Sequence, residues 1–241
     1  MKTQPALTHT ARRTRIKICG LAREQDVDAA VAAGADALGF VLYEQSPRYV
    51  SAQRAAELAQ RLPAFVTPVL LFVNADARVV RTALQMLPQA TLQFHGDESA
   101  AQCIALAQGQ PWIKAARIPV DASASRFDLI KFAHDFSSAQ ALLLDAYVPG
   151  YGGGGETFPW SQLVTNVNAH LVLSGGLTPA NVAAGITQLR PRGLSLAVDV
   201  SSGVELDAPG GGTVKGVKDA QKIHQFVSAV RTADALFAST L

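Results

Sequence analysis

Two residues in this chain could move a proton, and both close strand-like runs. Cys19 ends RIKIC (15–19), and Asp145 ends ALLLD (141–145). A thiolate can take a proton and a carboxylic acid can give one, the two halves of a general acid–base reaction. Each residue also has plainer roles. Free cysteine buries readily as a small apolar side chain. An aspartate that closes an apolar strand is a helix cap, a member of a buried ion pair, or an acid. Residue types alone leave those alternatives open. Lys17 lies two positions before Cys19, so both side chains leave the strand on the same side. It can steady a thiolate there, or pair with a carboxylate lower in the fold.

Other chemistries find little support. The second cysteine, Cys103, sits at helical spacing with Ile104 and Ala107 and reads as core. Two cysteines make no disulfide framework, and no C-x-x-C is present. His95 closes a strand-like run but has no partner at metal-ligand spacing, so no metal is expected. There is no G-x-S-x-G elbow. The Gly-rich GYGGGGE (150–156) lacks the lysine of a nucleotide loop and reads as a flap.

Two further loops offer an anion grip. LSGGLTPANV (173–182) supplies Gly175 and Gly176, then Thr178 as expected N-cap with Pro179 at the first helical position. DVSSGVE (199–205) supplies Asp199, Ser201 and Ser202, with Ser202 and Glu205 in capping-box spacing. Each loop is a common helix start by itself. Adjacent, they present backbone N–H groups and the positive ends of helix dipoles to one phosphate.

The elements that position these residues alternate. Strand-like runs fall at 15–19, 37–43, 68–73, 91–95, 112–118, 141–147, 170–175 and 194–200, with helix-like spacing between them. Eight β–α units in about 225 residues predict a single-domain (β/α)8 TIM barrel spanning 15–241, with a flexible tail at 1–14. A doubly wound open sheet is the alternative. In such a barrel the residues that end strands converge on one face. Here they are Cys19, Tyr43, Asn74, His95, Ile118, Asp145, Ser174 and Asp199.

Totals agree with a compact protein that has a sizeable core. The chain has 241 residues, 49% hydrophobic and 17% charged, with a net charge of +2. That balance gives no reason to expect nucleic acid, and no apolar run approaches the roughly 18 residues of a membrane span. Residues 1–15 contain no acid and faintly resemble a transit peptide, but a short tail on a cytoplasmic protein is the reading preferred.

Taken in order, KICGL, GADALGFVLYEQSPRYVS, QFHGDE, LLLDA, LSGGLTPANV, DVSSGVE and GVKDAQKI resemble the motifs of the phosphoribosylanthranilate isomerase family of tryptophan biosynthesis, from about residue 15 to 231. The resemblance implies a cofactor-free Amadori rearrangement of N-(5′-phosphoribosyl)anthranilate to 1-(2-carboxyphenylamino)-1-deoxyribulose 5-phosphate, by a monomer or homodimer. It implies Cys19 as general base, Asp145 as general acid, and Arg48 as the fork for the anthranilate carboxylate. His95 is either a further substrate contact, to a sugar hydroxyl or the ring, or only the cap of its strand, and it ranks below the other three. The base role calls for the Cys19 thiol to lie about one unit below its ordinary value of about 8.5, and Lys17 is the group at hand to lower it unless it pairs with a carboxylate instead.

The flap departs from the family pattern: GGGGETFPW (152–160) carries Gly154, Glu156 and Pro159 where Thr, Lys and Asp are usual. LDAPGGGTVKGVKD (206–219) is longer than usual and is expected only to extend a surface connection. A sibling such as indole-glycerol-phosphate synthase would use Lys and Glu at strand ends. Lys114 is available, but no glutamate closes a strand. A phosphate sensor without chemistry would have lost the acid or the base.

Overall fold

The computed structural model describes residues 13–121, 127–147 and 157–238. Eight parallel strands close a barrel in chain order: β1 (Arg15–Cys19), β2 (Ala37–Val41), β3 (Thr67–Phe72), β4 (Thr91–Phe94), β5 (Trp112–Ile118), β6 (Ala141–Ala146), β7 (His170–Leu173) and β8 (Ser195–Val200), with β8 returning to β1. Closure leaves this sheet no unpaired edge, which rules out the open-sheet alternative.

Helices α1 (Glu24–Ala33), α2 (Ala52–Ala59), α3 (Ala77–Met86), α4 (Ala100–Ala107) and α5 (Leu129–Asp135) follow the first five strands. After β6 the described residues form a 3₁₀ turn at Trp160–Gln162, and α6 (Val182–Leu189) and α7 (Ala220–Ala238) follow β7 and β8. Local chemistry sets several helix starts. Asp76 accepts from the Arg78 backbone N–H ahead of α3. Ser99 and Gln102 form a capping box ahead of α4. None of the helices among the described residues is long and apolar enough to cross a membrane.

Alternation along each strand separates two environments. On β1, Ile16 and Ile18 face the helices while Lys17 and Cys19 face the barrel interior. The outer layer holds the large side chains, among them Phe40, Phe72, Phe94 and Phe226, all fully buried. Phe94 packs between Phe72 and Trp112, with ring centroids 6.4 and 6.0 Å away. Cys103 is buried in this layer, as its spacing predicts. Interior positions are smaller: Ala115, Leu143 and Val172 in one cluster, and Cys19, Val41, Leu71 and Val73 in another.

Several local expectations need correction. Helix α6 begins at Val182, not at Thr178. The Asn181 carbonyl oxygen Oδ1 takes the Thr178 N–H at 2.8 Å and its amide donates to the Gly176 carbonyl at 2.9 Å, so the side chain at 181 shapes the turn. Ser202 and Glu205 form no capping box. Residues 202–204 are a 3₁₀ turn, and the Glu205 carboxylate is taken by other side chains.

The long connection after it is more than a surface extension. It folds into an antiparallel hairpin, β9 (Glu205–Asp207) and β10 (Thr213–Lys218), that buries Lys218. At the other end Thr14, assigned to the tail, is buried, its N–H and hydroxyl bound to Asp234 at 2.8 and 2.7 Å.

Replacing Phe94 by Ala removes the ring that joins Phe72 to Trp112. Its unfolding free energy in a urea titration is expected to fall by about 3–5 kcal/mol, the cost of a large core cavity. A loss below about 1 kcal/mol would mean this layer does not hold the barrel together.

Candidate active site

The carboxyl ends of the strands gather the polar interior. A cavity of about 440 Å³ at the opposite end is lined by strand starts such as Arg15, Thr67, Thr91 and Ser195, and neither Cys19 nor Asp145 reaches it. Cys19 on β1 and Asp145 on β6 stand three strand steps apart through β8 and β7. Both are nearly buried.

Barrel closure puts Lys17 beside Asp199 in register. The Lys17 ammonium donates to Asp199 Oδ1 at 2.8 Å, and the Ser174 hydroxyl donates to Oδ2 at 3.2 Å. The same ammonium lies beside the Cys19 sulfur. A Cβ on Gly39 would stand 2.7 Å from Sγ and 3.0 Å from Nζ, so glycine on β2 leaves the room both occupy. Lys17 thus takes both roles the sequence leaves open.

Electrostatics here correct one expectation. Burial pushes the Cys19 thiol up, and the Lys17 ammonium only partly opposes it. The sequence predicts a depressed thiol because it shows the lysine but not the loss of water. Burial would lower Lys17 too, but Asp199 and then Cys19 outweigh it and hold the ammonium well above the ordinary lysine range.

On the far side of the mouth, His95 Nε2 lies 2.9 Å from Asp145 Oδ2, and the Gln93 amide nitrogen lies 3.0 Å from His95 Nδ1. Asp145 is therefore not a helix cap. Lys114 braces the strand ends behind this row. It donates to the Gly96 carbonyl and to Glu98 Oε2, each at 2.8 Å, while Glu98 Oε1 accepts the Asn74 N–H at 2.7 Å. Lys114 shares the facing of Trp112 and Ala116, toward the helices, so it is no strand-end catalytic lysine. Arg117 pairs in register with Asp145, its guanidinium 4.3 Å over the Tyr147 ring.

The two loops singled out for phosphate touch. A Cβ on Gly203 would lie 1.9 Å from the Leu177 carbonyl oxygen, so only glycine lets the loops after β7 and β8 pack together. Gly175 and Gly176 take φ of 78° and 61°. A Cβ on Gly175 would fall 2.9 Å from Asp145 Oδ1, which ties this loop to the acid. Ser201 and Ser202 are half-buried beside it, and Lys218 donates to the Ser201 carbonyl at 2.9 Å. Residues 148–156, including Gly154 and Glu156 of the flap, lie outside the described residues. Pro159 precedes the 3₁₀ turn at Trp160 and gives it no side-chain cap.

Arg48 is already engaged. Its Nε and Nη2 donate to Glu205 Oε1 and Oε2 at 2.7 and 3.0 Å. Glu205 is fully buried and also accepts from the Thr213 hydroxyl, the Gly216 N–H and Lys218. Burial works against its charge, yet Arg48 and Lys218 hold its carboxyl below the usual range. Burial draws Lys218 down to about 8 against the pull of Glu205. Sequence reasoning missed Gln93, Glu205 and Lys218. Gln93 shares a face with His95 by period-two spacing, a signal that was available. The other two depend on a hairpin that no local pattern announced.

The sequence model of the N-(5′-phosphoribosyl)anthranilate (PRA) isomerase family matches residues 16–229. A curated N-(5′-phosphoribosyl)anthranilate isomerase of Methylibium petroleiphilum is 56% identical over 228 residues, covering 95% of this chain and 99% of its own. A crystal structure of monomers made from the dimeric phosphoribosylanthranilate isomerase of Thermotoga maritima is 32% identical, with a TM-score of 0.70 over 91% of this chain and 99% of its own. A phosphoribosylanthranilate isomerase bound to reduced 1-(o-carboxyphenylamino)-1-deoxyribulose 5-phosphate is 31% identical, with a TM-score of 0.69 and the same coverage.

Burial raises the Cys19 thiol in the free protein, so its thiolate is expected to form at higher pH than that of an exposed cysteine. In a Cys103→Ala protein, thiolate ultraviolet absorbance is expected to grow with a midpoint above the roughly 8.5 of a free cysteine. Its formation should move to still higher pH when Lys17→Met and Asp199→Asn are combined. A midpoint below 7 in the Cys103→Ala protein would reverse the balance of burial and charge.

Proposed function

This chain belongs to the N-(5′-phosphoribosyl)anthranilate isomerase family, and from that premise we propose that the barrel mouth performs the family's Amadori rearrangement with Asp145 as acid and Cys19 as base. The substrate is N-(5′-phosphoribosyl)anthranilate and the product 1-(2-carboxyphenylamino)-1-deoxyribulose 5-phosphate, a step of tryptophan synthesis. The single observation that carries the assignment is the pairing of each group with its own partner: Cys19 with Lys17, Asp145 with His95, across one barrel mouth.

The chemistry divides between the two clusters. Asp145 gives its proton to the furanose ring oxygen as the C1′–O bond breaks. The bond's electron pair stays on oxygen, and the nitrogen lone pair completes a C=N bond. Cys19 as thiolate then takes the proton from C2′, and the electrons pass toward nitrogen to give an enolamine that tautomerises to the ketone. The Lys17 ammonium, which stands beside the sulfur, stabilises the thiolate that takes this proton.

The phosphate is held by the backbone N–H groups of the loops at Gly175, Gly176, Ser201 and Ser202, by the geometry that favours anions at such turns. Arg48 reads the anthranilate carboxylate with the edge that Glu205 leaves free, because guanidinium carries five N–H donors and Glu205 takes two directions. His95 touches Asp145 directly. Asp199 acts through Lys17. Two free thiols, Cys19 and Cys103, suit a reducing compartment, and we place the enzyme in the cytoplasm.

Asp145→Asn is expected to lower kcat by about 10²–10⁴ with KM little changed, the range for loss of a general acid. The readout is the disappearance of freshly generated phosphoribosylanthranilate by fluorescence. Cys19→Ser should fall by a similar factor, because a hydroxyl is a far weaker base. Full activity in either variant would remove that residue from the mechanism.

A further inference from the structure

Gln93 has no part in the chemistry above, yet it is fully buried and aimed at the mouth. Its amide nitrogen lies 3.0 Å from His95 Nδ1, and His95 Nε2 lies 2.9 Å from Asp145 Oδ2. These three side chains form one row from the interior of β4 to the end of β6. The other amide atom, Gln93 Oε1, is buried with no hydrogen-bond partner.

That orphan decides which way the amide points. As placed, one carbonyl oxygen goes unpartnered and the NH₂ group donates to Nδ1. Turned over, the carbonyl would face Nδ1 and the NH₂ group would stand in the unpartnered position. Buried N–H groups without partners are rarer than under-used carbonyls, so the first arrangement is favoured. An amide N–H at Nδ1 requires a lone pair there. The neutral imidazole must then carry its hydrogen on Nε2, where it donates to Asp145 Oδ2.

The consequence falls on the acid. If Oδ2 accepts from His95, the proton on a protonated Asp145 has to sit on Oδ1. Oδ1 is the oxygen beside Gly175, where a Cβ would stand 2.9 Å from it. We propose that Gln93 is a positioning residue that fixes the Nε2–H tautomer of His95, and so directs the transferable proton of Asp145 to Oδ1, on the side of the Gly175 loop. When that proton passes to the ring oxygen, the Nε2–H group is already in place to stabilise the carboxylate left behind. No other proton has to move. The inference rests on Asp145 as the acid of the proposed isomerase, and the first measurement below is independent of that reading.

Nitrogen-15 NMR of the wild-type protein labelled at histidine reports the tautomer directly. His95 is expected to show Nε2 in the protonated, pyrrole-like range and Nδ1 in the unprotonated, pyridine-like range. The reverse pattern would overturn the proposal without touching the role of Asp145. Gln93→Met keeps the volume but removes the donor, and should mix the tautomers and lower kcat about 10- to 100-fold with KM unchanged. His95→Gln gives Asp145 an amide donor that no longer depends on Gln93. In that background Gln93→Met should cost no more than about twofold. An equal loss in both backgrounds would reduce Gln93 to packing. If instead the tautomer stands as stated and Asp145→Asn retains full activity, the acid assignment fails and the positioning of His95 survives.

Discussion

A lysine ammonium inside a barrel of apolar strands survives only if a carboxylate meets it there. Lys17 and Asp199 are 182 positions apart and touch at 2.8 Å because β8 closes on β1. Leaving either charge alone in the interior would cost several kcal/mol, so the pair constrains which strands can be neighbours and in what register. Neighbouring polar positions at the strand ends depend on that register. Cys19 sits one inward position above Lys17, Gly39 makes room for both, and Ser174 completes the bonding of Asp199.

Around the same rim the fold keeps two kinds of charge apart. The thiol stands with Lys17, while the Asp145 carboxyl stands three strands away with a histidine held by an amide. Between them the loops after β7 and β8 pack against one another through Gly203, and Gly175 brings the first of these loops against the acid. The proposed function places a sugar phosphate at those loops, with its ring between the two groups. The hairpin β9–β10 closes the arrangement by burying Glu205, which receives Arg48, Thr213, Gly216 and Lys218. Arg48 is thereby stiffened, which would lower the entropy lost in its proposed role as the contact for the substrate carboxylate.

Much of this was legible in the residues. Period-two runs such as RIKIC and ALLLD fix both the strands and the inward side of Cys19 and Asp145, because alternation is local. The loops after β7 and β8 were legible as loops, but not where the helices after them start. Most of what escaped was decided by contacts distant in sequence, the turn ahead of α6 excepted. Glu205 looked like a cap from its spacing to Ser202, but Arg48, 157 positions away, claims it. Lys218 lay in a stretch that read as an extended connection. The direction of the Cys19 shift was misjudged because burial depends on what surrounds the whole strand end, while Lys17 was visible two residues away. Helix α6 starts late since a single Asn181 side chain reorganises the turn.

The central claim is a division of labour: Asp145 opens the ring, and Cys19 moves the C2′ proton. Substrate deuterated at C2′ separates the two steps in one experiment. The account predicts a primary isotope effect on kcat that becomes large in Cys19→Ser, where proton abstraction limits the rate, and is suppressed in Asp145→Asn, where ring opening does. An isotope effect that is the same in both variants would contradict it, since the two groups would then serve a single step.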